Sequence, residues 1–242
     1  MSSKRKTGPK PTASSTKKAK KDTGGSGSGG KRVEVKCGSS FTITAPPPTR
    51  NALGQLVFEG APEFCPNLTP KQVLQMGSFG GTYFRPIKSG VTGESYRDVW
   101  KELPSDWLEG LNIKTQVASS IYDTEVNKFK VKCGGSLEMW EESGWIDKQD
   151  PYGWFMWYCR YYQGRRSEDD ERQIGRWSRC AGLKGRWRQN LVTKVFRASS
   201  KFDDASVSPV VRQTLQHWGY ELNKHDYDLG VKRQKISQRE RE

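Results

Sequence analysis

The sequence predicts a mainly α fold, a single helical domain with an aromatic-rich core between disordered basic N- and C-terminal tails. Three observations carry this. Helix starts are written as a capping residue followed by proline, at Thr69-Pro70, Asp150-Pro151 and Ser208-Pro209. Proline suits the first helical position because the N–H it lacks has no partner there. The run Trp154-Phe155-Met156-Trp157-Tyr158-Cys159-Arg160-Tyr161-Tyr162 is apolar nearly all round, as a central helix is. Residues 1–32 hold no large apolar side chain beyond Met1 and have nothing to pack.

Taken in order, residues 1–32 read as a disordered basic tail with ten Lys/Arg against Asp22 alone. Within it, Arg5-Lys6 stands ten residues before Lys17-Lys18-Ala19-Lys20-Lys21, a spacing that resembles a bipartite nuclear localisation signal built from Arg5, Lys6, Lys17, Lys18, Lys20 and Lys21. The plainer reading is a solvated charge run that touches polyanions weakly. Glycine and serine over 24–30 make a flexible connector. Residues 33–57 read as a linker with a possible short strand over 33–43, stopped by Pro46-Pro47-Pro48.

The packed domain is expected over 58–230. Thr69-Pro70 opens a helix that buries Val73, Leu74 and Met76 and stops at Gly77. Over 95–103, Tyr96, Val99, Trp100 and Leu103 recur at helical spacing until Pro104 breaks the run, and Asp106-Trp107-Leu108 begins a short turn. Ser136 caps Leu137-Glu138-Met139-Trp140, which ends at Gly144. Asp150 caps the aromatic helix, with Gly164 as its stop. Ser167 caps the next, whose first turn Glu168-Asp169-Asp170-Glu171 complements the positive end of the helix, and Gly182 closes it. Over 186–197, Trp187, Leu191 and Val195 form one stripe. Ser208-Pro209 starts a last helix with Val211, Leu215 and Trp218 inward. Residues 231–242 read as a charged tail. Trp, Tyr and Phe number nine each, so the core is aromatic rather than aliphatic, each ring burying on the order of 150–250 Å².

The formal charge of +14 is unevenly placed. Nine units lie in 1–32 and three in 231–242, while residues 160–201 carry twelve basic side chains against four acidic ones. A uniformly basic coat is excluded and a polarised one is not. Five cysteines without a CxxC pair argue against a disulfide framework or a zinc site and for reduced thiols. No apolar run approaches the roughly 20 residues that span a bilayer, so no membrane partner is expected.

Two segments carry chemistry. In the aromatic run, Trp154, Trp157, Tyr158 and Tyr161 share a face, with Phe155, Cys159 and Tyr162 beside it. This is core packing, or, with interleaved arginine, a platform for unpaired bases. After it, Arg172, Arg176 and Arg179 fall at i, i+4 and i+7, behind Arg165 and Arg166 and ahead of Lys184, Arg186 and Arg188. Guanidinium forks in that density suit phosphate. The competing reading is internal pairing with Glu168, Asp169, Asp170 or Glu171.

Gly77-Ser78-Phe79-Gly80-Gly81-Thr82-Tyr83-Phe84-Arg85 lacks the Gly-Lys-Ser/Thr of a P-loop and reads as a helix stop and tight turn, with a backbone anion nest assisted by Arg85 as the alternative. His217 and His225 are the only histidines. No catalytic or zinc signature appears, and no cofactor or metal is expected.

From 64 to about 222 the motif order resembles a protein family shared by microbial eukaryotes and bacteria. The matching phrases are Leu68-Thr69-Pro70, Phe79-Gly80-Gly81-Thr82-Tyr83, Asp150-Pro151-Tyr152-Gly153-Trp154-Phe155, Trp157-Tyr158-Cys159-Arg160, Gly164-Arg165-Arg166, Asp169-Asp170-Glu171-Arg172-Gln173-Ile174 and Arg212-Gln213-Thr214-Leu215-Gln216-His217-Trp218. That resemblance brings no activity with it.

The function expected from sequence is therefore a nuclear nucleic-acid-associated protein that holds the phosphates of DNA or RNA through Arg165, Arg166, Arg172, Arg176, Arg179, Lys184, Arg186 and Arg188. The first alternative is an enzyme acting on a phosphorylated or carboxylated small molecule, with Asp170, Asp150 or His217 as acid or base. The second is a module that docks an acidic protein. Geometry discriminates: arginines converging on one concavity favour a small ligand, and arginines spread along a ridge favour a nucleic-acid strand or a partner surface.

Overall fold

A single phenyl ring, Phe64, gathers the centre of the molecule. In the computed structural model, which describes residues 41–239, the edges and faces of Trp154, Trp157, Tyr158, Tyr161 and Trp177 all meet it at centroid distances of 5.2–6.1 Å. Four of those rings are the shared face predicted for the aromatic run. That run is the helix α3 (Trp154–Tyr162), in which every residue but Tyr162 is buried. Its neighbouring face sends Phe155 against Phe79, Tyr83 and Phe84. T-shaped ring pairs add about 0.5–1.5 kcal/mol each beyond the area they bury, so the aromatic core is specific as well as apolar.

Six further α-helices surround α3 among the described residues: α1 (Pro70–Gln75), α2 (Leu137–Glu142), α4 (Asp170–Cys180), α5 (Arg186–Arg197), α6 (Pro209–His217) and α7 (Lys224–Arg239). Two two-stranded antiparallel ribbons complete the regular structure, β1 (Thr49–Arg50) with β2 (Leu56–Val57) and β3 (Ile87–Lys88) with β4 (Ser95–Tyr96). α1 starts as its sequence predicts. Thr69 accepts from the Gln72 N–H while the Gln72 side chain accepts from Thr69 N, and Gly77 follows the C-cap with φ 91°. Ser136 likewise caps α2.

Four expectations are corrected. The segment 95–103 is not a helix. The turn signals Gly90 and Gly93 fold β3 back on β4, with Ile87 opposite Tyr96, and only Val99–Glu102 coils, as a 3-10 turn after a left-handed Asp98 (φ 58°). Asp150 does not cap α3. Its carboxylate is occupied by Arg160 and Arg165, so the helix begins at a Gly153 N-cap that has no side chain to offer. The Tyr83 hydroxyl replaces it, accepting from the Met156 N–H at 3.0 Å and donating to Tyr152 O. Ser167 lies one turn before α4, donating from its N–H and Oγ to Asp170.

Last, neither end is as irregular as predicted. Residues 49–57, read as linker, form the first ribbon, and α7 runs through Arg239 into the segment read as a charged tail. The possible strand over 33–43 lies mostly outside the described residues, and 41–43 are not strand.

α4, α5, α6 and α7 pack as neighbours. α5 contacts α4, α6 and α7, and Gly230 lets α7 approach closely enough that a Cβ there would stand 2.9 Å from Val192. The exposed carbonyls at the end of α6 are satisfied from the core: Trp154 Nε1 donates to His217 O and Trp177 Nε1 to Trp218 O. No helix among the described residues is long and apolar enough to cross a membrane.

Candidate functional site

Between α2, the amino end of α3, α4, the start of α5 and α6 lies a cavity of about 960 Å³, the upper end of the size range of small-molecule sites. Its floor is aromatic, made of Phe79, Tyr83, Trp154, Phe155 and Trp218. Trp140 and Trp145 stand on the α2 side and Trp187 on the α5 side. Trp145, Met139 and Val210 line the cavity while remaining 43–50% exposed, which marks them as its mouth. Five cationic side chains line it: Arg176 and Arg179 from α4, Arg186 from α5, and Arg85 and Lys132 from the loops before α2. Among the described residues, no aspartate or glutamate lines it.

The sequence-predicted arginines divide into two sets. Arg165 is 6% exposed and grips Asp150 with both Nη atoms at 2.7 and 2.5 Å. Arg188 is 3% exposed and pairs with Asp226 at 2.6 Å. Arg172 pairs with Asp169, three residues back, and Arg166 stacks on Tyr161 at 3.9 Å while donating to Tyr161 O and Arg165 O. These four are tied to the domain itself. Lys184 is exposed away from the cavity lining.

Arg176, Arg179 and Arg186 converge on the cavity and, among the described residues, have no carboxylate partner. Their joint presence has a simple cause. Arg176 and Arg179 are one turn apart on α4, and the short link to α5 brings Arg186 round to the same side. The localisation-signal residues Arg5, Lys6, Lys17, Lys18, Lys20 and Lys21 lie outside the described residues.

Arg176 is a half-buried cation of the cavity wall. Its guanidinium sits 5.6 Å from the ring centres of both Trp145 and Trp218, and Nη1 donates to Trp145 O and Gln173 Oε1. Burial, and then the nearby Arg172, push its pKa down to about 10. A cation held among indoles without a counter-charge favours any anion that enters. Arg85 is held by its donation to Thr82 O, and Arg186 lies 5.2 Å over Trp187.

The thiols of Cys180 and Cys133 also line the cavity, and burial raises both, Cys180 to about 12, so they are thiols rather than thiolates. The candidate acids and bases fall elsewhere. Asp150 is sealed against Arg160 and Arg165, and Asp170 accepts from Trp157 Nε1 and Ser167. Only His217 lines the cavity.

The glycine-rich loop is a tight turn and not an anion nest. Phe79, Gly80 and Gly81 all have positive φ. Every N–H from 79 to 82 is already donated, to His217 Nε2, Asn127 Oδ1, Ser78 O and Phe79 O respectively. What the loop delivers is side chains, Phe79 and Tyr83 into the floor and Arg85 at the edge.

Lys132, Trp140 and Trp145 were not legible as site residues. They sit in stretches without periodic pattern, and only the fold around Ser136 and Gly144 turns them toward the arginines. No protein-family model matches the chain, and neither a curated protein nor a solved structure does.

Proposed function

We propose that this protein binds a nucleotide unit, a planar base carrying an anionic phosphate, in the cavity between α2, α4 and α6. One observation carries the reading: among the described residues, aromatic walls and five cationic side chains share one concavity with no carboxylate in its lining. Aromatic walls accept a base face, worth about 1–3 kcal/mol per stacked base. Uncompensated guanidinium groups accept phosphate through charge-assisted hydrogen bonds. Neither half alone selects a nucleotide; together they match its two ends.

The unit has two possible sources, a free nucleotide or an unstacked residue of a single strand. The open apolar mouth at Trp145, Met139 and Val210 suits either. The basic segment 1–32 would add sequence-blind affinity for a strand, and with the bipartite pattern within it supports a nuclear setting. An extended convex ridge of arginines, as a duplex or an acidic partner surface would require, is not supported by residues 165–188, because Arg165 and Arg188 face inward. The lining favours binding over acid–base catalysis, since its thiols are held protonated and its one imidazole is held neutral.

The test is tryptophan fluorescence of the full chain titrated with nucleoside monophosphates, with ribose 5-phosphate and with a short oligothymidylate. Saturable quenching by a nucleotide is expected, weakened about tenfold or more in Arg176→Ala/Arg179→Ala, the loss of roughly one charge-assisted hydrogen bond. Strand binding should be steep in salt, log K falling with log salt by about 0.7 per phosphate neutralised, whereas a free nucleotide should show a shallow dependence. Absence of saturable binding by any nucleotide or oligonucleotide would remove the proposal.

A further inference from the structure

His217 is held in one tautomer by a chain of hydrogen bonds that starts from the backbone. The Phe129 N–H can only donate, and it donates to Gln213 Oε1 at 3.0 Å, which fixes the orientation of that amide. Gln213 Nε2 therefore turns its hydrogens toward Gln216 Oε1 at 2.7 Å and His217 Nε2 at 3.0 Å, with Gly77 O a longer third acceptor at 3.4 Å. The Gln216 amide is fixed in turn because its Nε2 donates to Val73 O at 2.9 Å. From the other side, the Phe79 N–H donates to the same His217 Nε2 at 2.9 Å. Two donors converge on Nε2, so that atom presents its lone pair and the ring proton sits on Nδ1. This is what the spacing Gln213, Gln216, His217 on α6 achieves, and it accounts for a motif that core packing alone does not explain.

The Nδ1–H is left without a partner among the described residues. The imidazole is 5% exposed, its face lies against Phe79 at a centroid distance of 4.0 Å and 15° between planes, and the ring lines the cavity. Burial holds the group neutral, its pKa pushed down to about 3, so it remains a neutral donor at every physiological pH and is unfit as a base. The Nδ1 atom is not one of the side-chain atoms sealed away from both solvent and a partner, so it is open to an acceptor that enters the cavity. The ring against it is Phe79, and Trp154 and Trp218, which also line the cavity, stack on each other at 4.3 Å.

We infer that His217 is a specificity-determining residue of the cavity, its Nδ1–H donating to an acceptor on the base, an exocyclic carbonyl oxygen or a ring nitrogen, while the arginines hold the phosphate. The inference rests on the nucleotide reading above. It adds a requirement that stacking and charge do not impose: the ring of the ligand must place an acceptor in the imidazole plane. A base whose accessible edge offers only donors or carbon would leave the histidine unsatisfied and be rejected.

The experiment uses the full chain, with uridine 5′-monophosphate, adenosine 5′-monophosphate and ribose 5-phosphate as probes. His217→Gln keeps an acceptor for the Phe79 N–H in place of Nε2 and moves the remaining N–H donors to the amide nitrogen, off the Nδ1 position. It should weaken the better-bound nucleotide about tenfold or more, the size of one lost hydrogen bond to a desolvated partner, and leave the affinity for ribose 5-phosphate unchanged.

A second measurement needs no variant. The chain has two histidines, so long-range proton–nitrogen spectra of the wild type read the tautomer of His217 directly. They should show Nδ1 protonated and its resonance shifting as nucleotide is added. A ring proton found on Nε2, or a Gln variant that binds nucleotides as well as the wild type, overturns the role of His217. Wild-type protein that prefers neither nucleotide over ribose 5-phosphate overturns the nucleotide reading itself.

Discussion

Arg188 of α5 and Asp226 of α7 form an ion pair of 2.6 Å in which each side chain is only 3% exposed. Tyr220 donates its hydroxyl to the same carboxylate at 2.8 Å, Asn223 Nδ2 adds a longer bond, and the guanidinium lies over the Tyr220 ring. The carboxylate also stands in the first turn of α7, where the positive end of the helix favours it. Residues 231–239 of the segment read as a charged tail therefore continue a helix anchored through a buried charge. Removing one partner leaves the other unpaired in a low dielectric, so Arg188→Ala or Asp226→Ala should each cost about 3–5 kcal/mol, measured by urea unfolding. Arg188→Met/Asp226→Leu should be milder than either single change. Single variants within about 0.5 kcal/mol of wild type would mean that α7 is not docked as described.

The two sets of arginines should separate in a single experiment. Asp150→Ala strands Arg165, which has no other carboxylate partner among the described residues, and takes a carboxylate from Arg160, so stability should fall by about 3–5 kcal/mol. Arg179→Ala and Arg186→Ala, both exposed, should change it by less than about 0.5 kcal/mol. Nucleotide affinity should move the other way, falling for the arginine variants of the cavity lining. An Arg179 variant that unfolds the protein would place that residue with the scaffold instead.

Much of the fold was legible in the sequence, but this division of the arginines was not. The helix starts at Thr69 and Ser136 and the shared face of Trp154, Trp157, Tyr158 and Tyr161 follow from local rules of capping and period. The partners of Arg165 and Arg188 do not. Asp150 lies fifteen residues from one and Asp226 thirty-eight residues from the other, and nothing local distinguishes these arginines from Arg176 or Arg179. Phe64, the ring that most of the core meets, sits in an irregular segment with no periodicity to mark it. The cavity was legible only in Arg176, Arg179 and Arg186, because nothing local places α2, α3, α6 and the glycine turn at 77–81 opposite them.

Those turns can be tested by adding one methyl group. Gly81 has φ 76°, and a Cβ there would come within 2.1 Å of the carbonyl oxygen of Thr115, a backbone atom that cannot move aside cheaply. Left-handed strain and the collision should together cost about 2–4 kcal/mol in Gly81→Ala. Gly60→Ala, with φ 77° but open space around its Cβ, carries the strain without the collision and should cost less. Thermal unfolding of the two side by side separates backbone conformation from close approach; equal losses would show that the contact with Thr115 O is not tight.

His217 makes stability depend on pH with a calculable sign. In the unfolded chain the imidazole takes up a proton near its ordinary value of 6.5, whereas in the folded protein burial delays this to about 3. Between those values the unfolded state holds one more proton, so the contribution is fully present above pH 6.5 and is lost as pH falls, by about 1.4 kcal/mol per unit. Carboxylates titrate lower in the same range, so the wild-type curve alone does not isolate the histidine. The difference between wild type and His217→Gln does. Urea unfolding at pH 7.5, 6.0 and 5.0 should show the wild type losing stability faster than the variant below pH 6.5, with the two curves parallel above it. Curves that stay parallel down to pH 5 would mean that the folded imidazole accepts a proton as readily as a free one. The Phe79 and Gln213 donors would then not be holding its lone pair.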